Sequence, residues 1–268
     1  KCKVVLIWVK MTSLGLKIFI IESKKMIKNL VKHVPIVNNW YRKINNLNER
    51  RDFIKHEVSS LSKGSSILDA GCGSQQFKHF CSHLNYKAQD FGKYTIDDKK
   101  MIGGGVGIGE SKNKYKYGKL DYVGDIWEID EKDQVFDAIL CTEVFEHIAY
   151  PIETVKEFSR LLKKDGRLIL TAPSNCLRHM DSYFFYSGFS DRWYEKFLSE
   201  YGFEILSIEP VGDYYSWLGV EMIRTARSNS FFAKLILLPA FVYYFSKKPT
   251  KKSIDTLCMG YHVVARKV

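Results

Sequence analysis

Ser66-Ile67-Leu68-Asp69-Ala70-Gly71-Cys72-Gly73-Ser74 is the stretch on which the fold turns. The apolar pair Ile67-Leu68 ends on an acidic residue, two glycines follow one residue apart, and apolar residues return at Phe77 and Phe80 after the polar Gln75 and Gln76. Locally this pattern predicts a strand, a glycine turn and a helix. In a parallel α/β sheet a ligand lies against the loop leaving the carboxyl end of the first strand. Gly71 and Gly73 would let backbone approach it with no Cβ in the way. A nucleotide-like cofactor is therefore expected here, although the same letters also serve as a plain structural turn. Asp69 narrows the choice, because a carboxylate ahead of the glycines repels a pyrophosphate and suits a ligand with a cationic amino-acid end.

Further strands follow at the spacing of a doubly wound sheet. Tyr86 to Asp90 ends on a carboxylate about twenty residues on, placed to accept the hydroxyls of a ribose, with Phe91 beside it for stacking. Asp121 to Ile126 reads as a third strand. Val135 to Cys141 is the strongest buried strand, and Thr142, Glu143, Glu146 and His147 leave its carboxyl end toward the expected crevice. Pro151 opens a helix whose buried face is Val155, Phe158, Leu161 and Leu162. Lys164 to Arg167 turns the chain into a fifth strand, Leu168 to Ala172. A sixth strand starts at Gly202, and Cys258 to Ala265 closes the sheet.

Ile-Leu-Asp-Ala-Gly-Cys-Gly at 67–73 resembles the first motif of class I S-adenosylmethionine-dependent methyltransferases. Phe-Asp-Ala-Ile at 136–139 with Glu-Val-Phe-Glu-His at 143–147 resembles their fourth motif, and Leu161 to Pro173 completes the pattern. The resemblance covers roughly residues 64 to 210 and the closing strand. It implies a doubly wound, seven-stranded, mostly parallel Rossmann-like α/β sheet with its last strand antiparallel. The apolar, basic segment and cap helices of residues 1–62 would precede a methyltransferase domain over 63–268, with an insertion at about 211–257.

The same resemblance implies S-adenosylmethionine as cofactor. Its contacts would be Asp69, Gly71, Gly73, Asp90, Phe91 and Thr142, with Asp125 and Ile126 on the adenine. For Asp125 the alternative is a turn cap. The catalytic candidates are His147 as base and Glu146 as its support. Glu-x-x-Glu-His is also similar to metal-assisted O-methyltransferases of the ubiquinone-pathway and small-RNA 2′-hydroxyl types, in which Glu143, Glu146, His147 and His179 would hold a divalent cation. The expected acceptor is a hydroxyl of a small molecule, sugar or glycolipid. A non-catalytic scaffold of the same fold is the competing class. Nucleic-acid methylation is disfavoured, since there is no appended binding module and no N-P-P-[FY]-like signature.

Composition sets the remaining bounds. The 268 residues are 46% hydrophobic and 14% aromatic, enough to bury a full core. Six cysteines without a C-x-x-C pair read as reduced thiols in a cytoplasmic protein. A formal net charge of +11 attracts something anionic: a lipid surface, nucleic acid, or an acidic glycan or small molecule. Lys10 and Lys17 break the apolar run of residues 1–33, which reads as an interfacial or packing helix rather than a span or a signal peptide. Met11 is a candidate start.

Asn38 to Leu61 is amphipathic, and the glycine- and lysine-rich stretch 97–119 reads as a basic loop. His79 and His83, four apart on the expected helix, read as surface residues. The aromatic stretch Asn175 to Trp193 is either a substrate wall or packing under the next helix. Phe231 to Phe245 is nearly all apolar, too short to span a bilayer, and followed by Lys247, Lys248, Lys251 and Lys252. It is expected either in an anionic membrane interface or as a buried or dimerising helix.

Overall fold

Alternation along the central strands sorts the core into two layers. In the computed structural model, which describes residues 46–93, 117–228 and 231–268, β1 (Ser66–Ala70) lies between β2 (Asn85–Asp90) and β4 (Phe136–Thr142) and is parallel to both. Ile67, Ala138 and Leu140 face one layer with Ile54 and Val58 of α1 (Leu47–Ser59). Leu68, Ile139 and Cys141 face the other, under Val155, Phe158 and Leu161 of α2 (Pro151–Leu161) and Tyr194 and Leu198 of α3 (Asp191–Glu200). A sheet covered on both faces is what makes its inner strands apolar on both sides.

With β3 (Tyr122–Val123), β5 (Leu162–Pro173), β6 (Phe203–Val211) and β7 (Gly260–Lys267), the order is β3-β2-β1-β4-β5-β7-β6. β7 is antiparallel to both its neighbours. The chain winds from β1 outward to β3 and then returns to the other side of β1. The switch point, where a ligand crevice opens, therefore lies beyond the carboxyl ends of β1 and β4.

The helix expected after the glycine turn does not form. Gly71, Gly73 and Gln75 have φ of 69°, 52° and 57°, so the backbone alternates into the left-handed region, which no α-helix tolerates. A chain of turns and the short 3₁₀ segment Lys78–Cys81 make the crossover instead, burying Phe77 and Cys81 against α1. His79 and His83 consequently share no α-helical face; the His79 ring packs 4.0 Å from that of Phe80.

Two other boundaries shift. The third strand shrinks to two residues, with Asp121 turned back to accept from the Ala88 amide and Lys87. β5 begins directly after α2, and the expected turn at Lys164 to Arg167 is an irregularity within it, with Asp165 at φ 63°.

Residues Asn45–Val268 form one compact unit, so α1 packs with the sheet although it lies ahead of the 62/63 boundary. The segment 1–45 and most of the basic loop, 94–116, lie outside the described residues. Cys72, Cys81, Cys141, Cys176 and Cys258 are free thiols.

The insertion folds as α4 (Tyr214–Ser228), α5 (Phe231–Ser246) and α6 (Lys251–Thr256). Asp213 ties its ends together, accepting from the Ser216 amide and hydroxyl and from the Ser253 hydroxyl. Tyr215 stacks on Tyr244 between α4 and α5. Gly219 leaves room for the Phe245 ring, since a Cβ there would sit 1.9 Å from it. No helix among the described residues is long and apolar enough to cross a membrane.

Gly219→Ala is accordingly expected to lower stability by about 1–3 kcal/mol through overpacking of α4 on α5. Denaturant unfolding would check this, and an unchanged midpoint would mean that the two helices are not tightly seated.

Candidate active site

Backbone amides leaving the end of β1 find their acceptors on β2. The Gly71 amide donates to Gln89 Oε1 at 3.1 Å, and Gln89 Nε2 donates onward to the Gly124 carbonyl at 2.7 Å. The Gly73 and Gly92 amides donate to the two oxygens of Asp90 at 2.9 and 3.1 Å. These bonds hold open a cavity of about 300 Å³ beyond the sheet. One half is lined by Gly71, Gln89, Asp90, Phe91 and Gly124 to Trp127. Glu143, Val144, His147, Ile148, Met180, Tyr183 and Phe185 line the other.

Gly71 is fixed by two independent constraints. Its φ is 69°, and a Cβ on it would lie 2.6 Å from both methyls of Val144. The loop after β1 and the loop after β4 therefore touch at a position where only hydrogen fits.

Burial dominates the electrostatics of this wall. Asp90 is 3% exposed and its carboxyl is pushed above the ordinary value, opposed by donation from the Gly92 and Gly73 amides and the Tyr117 hydroxyl. Asp69, also 3% exposed, accepts from the Tyr86 hydroxyl at 2.6 Å. Desolvation raises it to about 7, Tyr86 opposes that rise, and nearby Asp90 adds to it.

Beyond β4 the chain makes a strained corner, with Glu143 at φ 53°. Glu143 Oε1 accepts from the Thr171 hydroxyl at 3.0 Å, and its Oε2 pairs with Arg50 of α1 at 3.1 Å. The 3₁₀ segment Phe145–His147 then turns Glu146 inward, where it is 2% exposed and its Oε2 has no hydrogen-bond partner. Its Oε1 lies 3.7 Å from His147 Nε2 and 4.0 Å from His179 Nε2.

Both imidazoles face a backbone carbonyl through Nδ1, His147 that of Tyr183 and His179 that of Leu177, each at 2.8 Å. A carbonyl only accepts, so Nδ1 carries the proton and each Nε2 turns a lone pair toward Glu146. One oxygen and the two nitrogens lie within 4.8 Å of one another. Desolvation, reinforced by the adjacent Glu143, lifts Glu146 to about 8, while Arg50 pulls the other way. His147 falls to about 4, mainly by desolvation and then by the nearness of His179.

Of the residues singled out from sequence, Gly71, Asp90, Phe91, Asp125, Ile126, Glu143 and His147 line the cavity. Asp69 lies behind that wall on Tyr86. Gly73 serves through its bond to Asp90, and Thr142 is paired within the sheet opposite Thr171. Glu146 and His179 lie beside His147 and are not among the residues lining the cavity.

Sequence reasoning missed Gln89, Trp127, Val144 and Met180. Gln89 carried a usable signal, a polar residue in the buried half of a strand next to the chosen Asp90. The aromatic stretch divides between its two expected roles. Tyr183 and Phe185 line the cavity, whereas Phe189 and Trp193 pack on Phe145 in the core.

A family model described as a methyltransferase domain matches residues 46–208. The chain is 27% identical over 130 residues to an uncharacterized protein of Methanocaldococcus jannaschii, covering 46% of this chain and 50% of that one. It is 25% identical over 156 residues to the ubiquinone biosynthesis O-methyltransferase of Rickettsia akari, covering 54% and 59%. The chain thus spans about half the length of these relatives. Among solved structures, it shares its fold with geranyl diphosphate C-methyltransferase from Streptomyces coelicolor, with a TM-score of 0.50 and 13% identity over 82% of this chain and 79% of the other.

Two substitutions test the site's construction. Gly71→Ala is expected to cost about 1–3 kcal/mol in unfolding experiments, from the positive φ and the Val144 clash together. For Asp69 the sign follows from its raised value. Between its ordinary 3.8 and about 7 the native state holds a proton that the unfolded chain has released, so this contribution to stability falls as pH rises through that window. Asp69→Asn removes it. The difference between the two stability profiles should therefore grow in the variant's favour from about pH 4 to about pH 7; because it is a difference, the opposite trend from buried His147 and His262 drops out. A flat difference would mean that Asp69 is hydrated.

Proposed function

The chain belongs to the methyltransferase domain family, and we propose that it transfers the methyl group of S-adenosylmethionine to a hydroxyl of a small-molecule acceptor. The observation that carries this reading is the two-sided cavity. Asp90, Phe91, Asp125 and Ile126 make a polar and aromatic half suited to a nucleoside, and His147, Met180, Tyr183 and Phe185 make a half suited to an apolar acceptor carrying one reactive oxygen.

On this reading Asp90, which lines the cavity, accepts the ribose hydroxyls, while Ile126 and Phe91 offer apolar surface to the adenine. Asp90 lies close enough to raise the proton affinity of Asp69, so a ligand bearing cationic sulfonium and ammonium groups would relieve a repulsion already built into the wall. The methyl donor arrives activated. The chain's task is to hold the acceptor oxygen in line with the methyl carbon and to keep water out.

For the acceptor proton, the geometry favours His147 as a ligand over His147 as a base. An imidazole held near 4 is neutral but a poor proton acceptor. The residues fit a divalent cation on independent grounds: a buried carboxyl whose Oε2 has no partner, two imidazole Nε2 atoms at 3.7 and 4.0 Å from its Oε1, and both rings fixed through Nδ1 to carbonyls. Glu146, His147 and His179 would hold the ion. Glu143, expected in the same set, is engaged by Arg50 and Thr171 and would orient the cluster from beside it. A bound divalent cation supplies Lewis acidity, lowering the pKa of an acceptor hydroxyl. The cited Rickettsia relative, an O-methyltransferase by name, supports a hydroxyl as the acceptor class.

Calorimetric titration with S-adenosylmethionine and its demethylated product tests the cofactor half. Asp90→Ala should weaken binding about tenfold or more, and failure of the intact protein to bind either compound would leave a non-catalytic scaffold as the better account. His147→Ala and His179→Ala should leave cofactor affinity nearly unchanged while lowering methyl transfer about a hundredfold. Activity that survives dialysis against a chelator would remove the cation and return His147 to the role of base.

A further inference from the structure

Helix α5 buries one face and exposes another, and both are apolar. Phe245 is buried and Leu237, Phe241 and Tyr244 are half-buried, with Tyr244 stacked on Tyr215 of α4. On the opposite side Phe232, Leu235, Ile236, Pro239, Val242 and Tyr243 are exposed, at the spacing of one helical stripe. Ile236 is 75% exposed and Phe232 73%. A stripe of this kind, apolar from end to end, is not how a helix meets water.

What covers it can be argued from charge. Immediately after the helix come Lys247, Lys248, Lys251 and Lys252, of which the last three are exposed, while Lys247 lies 4.3 Å over the Tyr243 ring. A second copy seated on the stripe would bring its own lysines and share of a +11 net charge to the same place. The chain's apolar N-terminal stretch is likewise followed by Lys24, Lys25 and Lys28. Nucleic acid would satisfy the lysines and leave the stripe wet. An anionic lipid surface satisfies both features together, taking the stripe into the acyl boundary and the lysines against the headgroups.

The length agrees. Sixteen residues make a helix of about 24 Å, short of the roughly 30 Å hydrocarbon core, so α5 suits lying in the interface and not crossing it.

We propose that the α4–α5 insertion docks this protein on an anionic membrane surface, with the Phe232-Ile236-Tyr243 stripe in the interface and the lysines at 247–252 on the headgroups. This does not rest on the methyl-transfer reading and would hold for a non-catalytic scaffold. Charged and apolar contacts act together here, so each is needed and neither alone suffices.

The test is flotation of the full chain with vesicles of phosphatidylcholine alone and with phosphatidylserine added. Binding is expected only with phosphatidylserine and should weaken as salt is raised. Phe232→Glu with Ile236→Glu should abolish it. Changing Lys248, Lys251 and Lys252 to Gln should weaken it by roughly fivefold per lysine removed. Both variants should keep the parent's thermal transition, since the changed side chains are exposed.

Two results would overturn the proposal: no flotation of the parent chain, or flotation untouched by either variant. Absence of flotation has a more specific form, a parent whose hydrodynamic mass halves on Ile236→Glu. That outcome would assign the stripe to a second copy. Loss of duplex-DNA binding in the lysine variant, with no flotation of the parent, would assign the basic cluster to nucleic acid and equally end the proposal.

Discussion

Amide groups at the end of a parallel strand have lost their ladder partner and must find another, and in this protein Gln89 and Asp90 are those partners. Gln89 bridges the Gly71 amide and the Gly124 carbonyl, and Asp90 takes the amides of Gly73 and Gly92. Each bond satisfies a polar group that is costly to bury unpaired. Together they fix three loops from two adjacent residues on one strand. Without them the turn after β1 would have no reason to keep its left-handed geometry at Gly71, Gly73 and Gln75. The cavity exists because that turn stays folded back against β2 and against Val144 of the β4 loop.

The second constraint is the opposite case, a polar group left without a partner. Arg50 is the cation nearest to hand, but its ion pair is with Glu143, and Glu146 receives from it only a partial, more distant compensation. A carboxyl 2% exposed, beside a like charge, resolves the conflict by keeping its proton. Buried carboxyls are usually hydrogen-bonded through both oxygens, whereas here Oε2 is bare and Oε1 faces the two Nε2 atoms at 3.7 and 4.0 Å. On the proposed reading, this arrangement would suit a ligand that brings positive charge.

Legibility in the sequence followed how local the cause was. β1, β4, β5 and α2 were readable because apolar runs and the Pro151 start are local signals, and the strand order followed from the motifs they carry. The missing helix after Gly73 was not readable from periodicity. Phe77 and Phe80 keep helical spacing, yet a non-glycine residue, Gln75, adopts positive φ because its amide and side chain are held at Cys72 and Lys119. That cause lies forty-four residues away in the chain. Glu146 and His147 were legible as a motif, but His179 enters through a loop whose path is set by contacts with Glu146 itself. Arg50 lies in the amphipathic stretch 38–61, whose pattern marks no single arginine. Only the packing of α1 on the sheet carries it to Glu143.

That loop also bears on how an acceptor would be chosen. Its start is tied to the β7 end, where Ser174 donates through its amide to the Met259 carbonyl and through its hydroxyl to that of Cys258. Midway, the Phe185 and Tyr186 amides both donate to the Glu146 carbonyl, and the Phe189 amide closes the loop on Pro173. Met180, at φ 50°, takes the strain this fastening imposes. A segment bonded at its start, middle and end is a preformed wall, not a lid that waits for its ligand. On the proposed reading, selectivity would rest on the side chains of Met180, Tyr183 and Phe185, and an acceptor would match them at little cost in ordering. Such a surface would discriminate by shape and by the position of one oxygen relative to His147, which would favour flat or apolar acceptors over flexible polar ones.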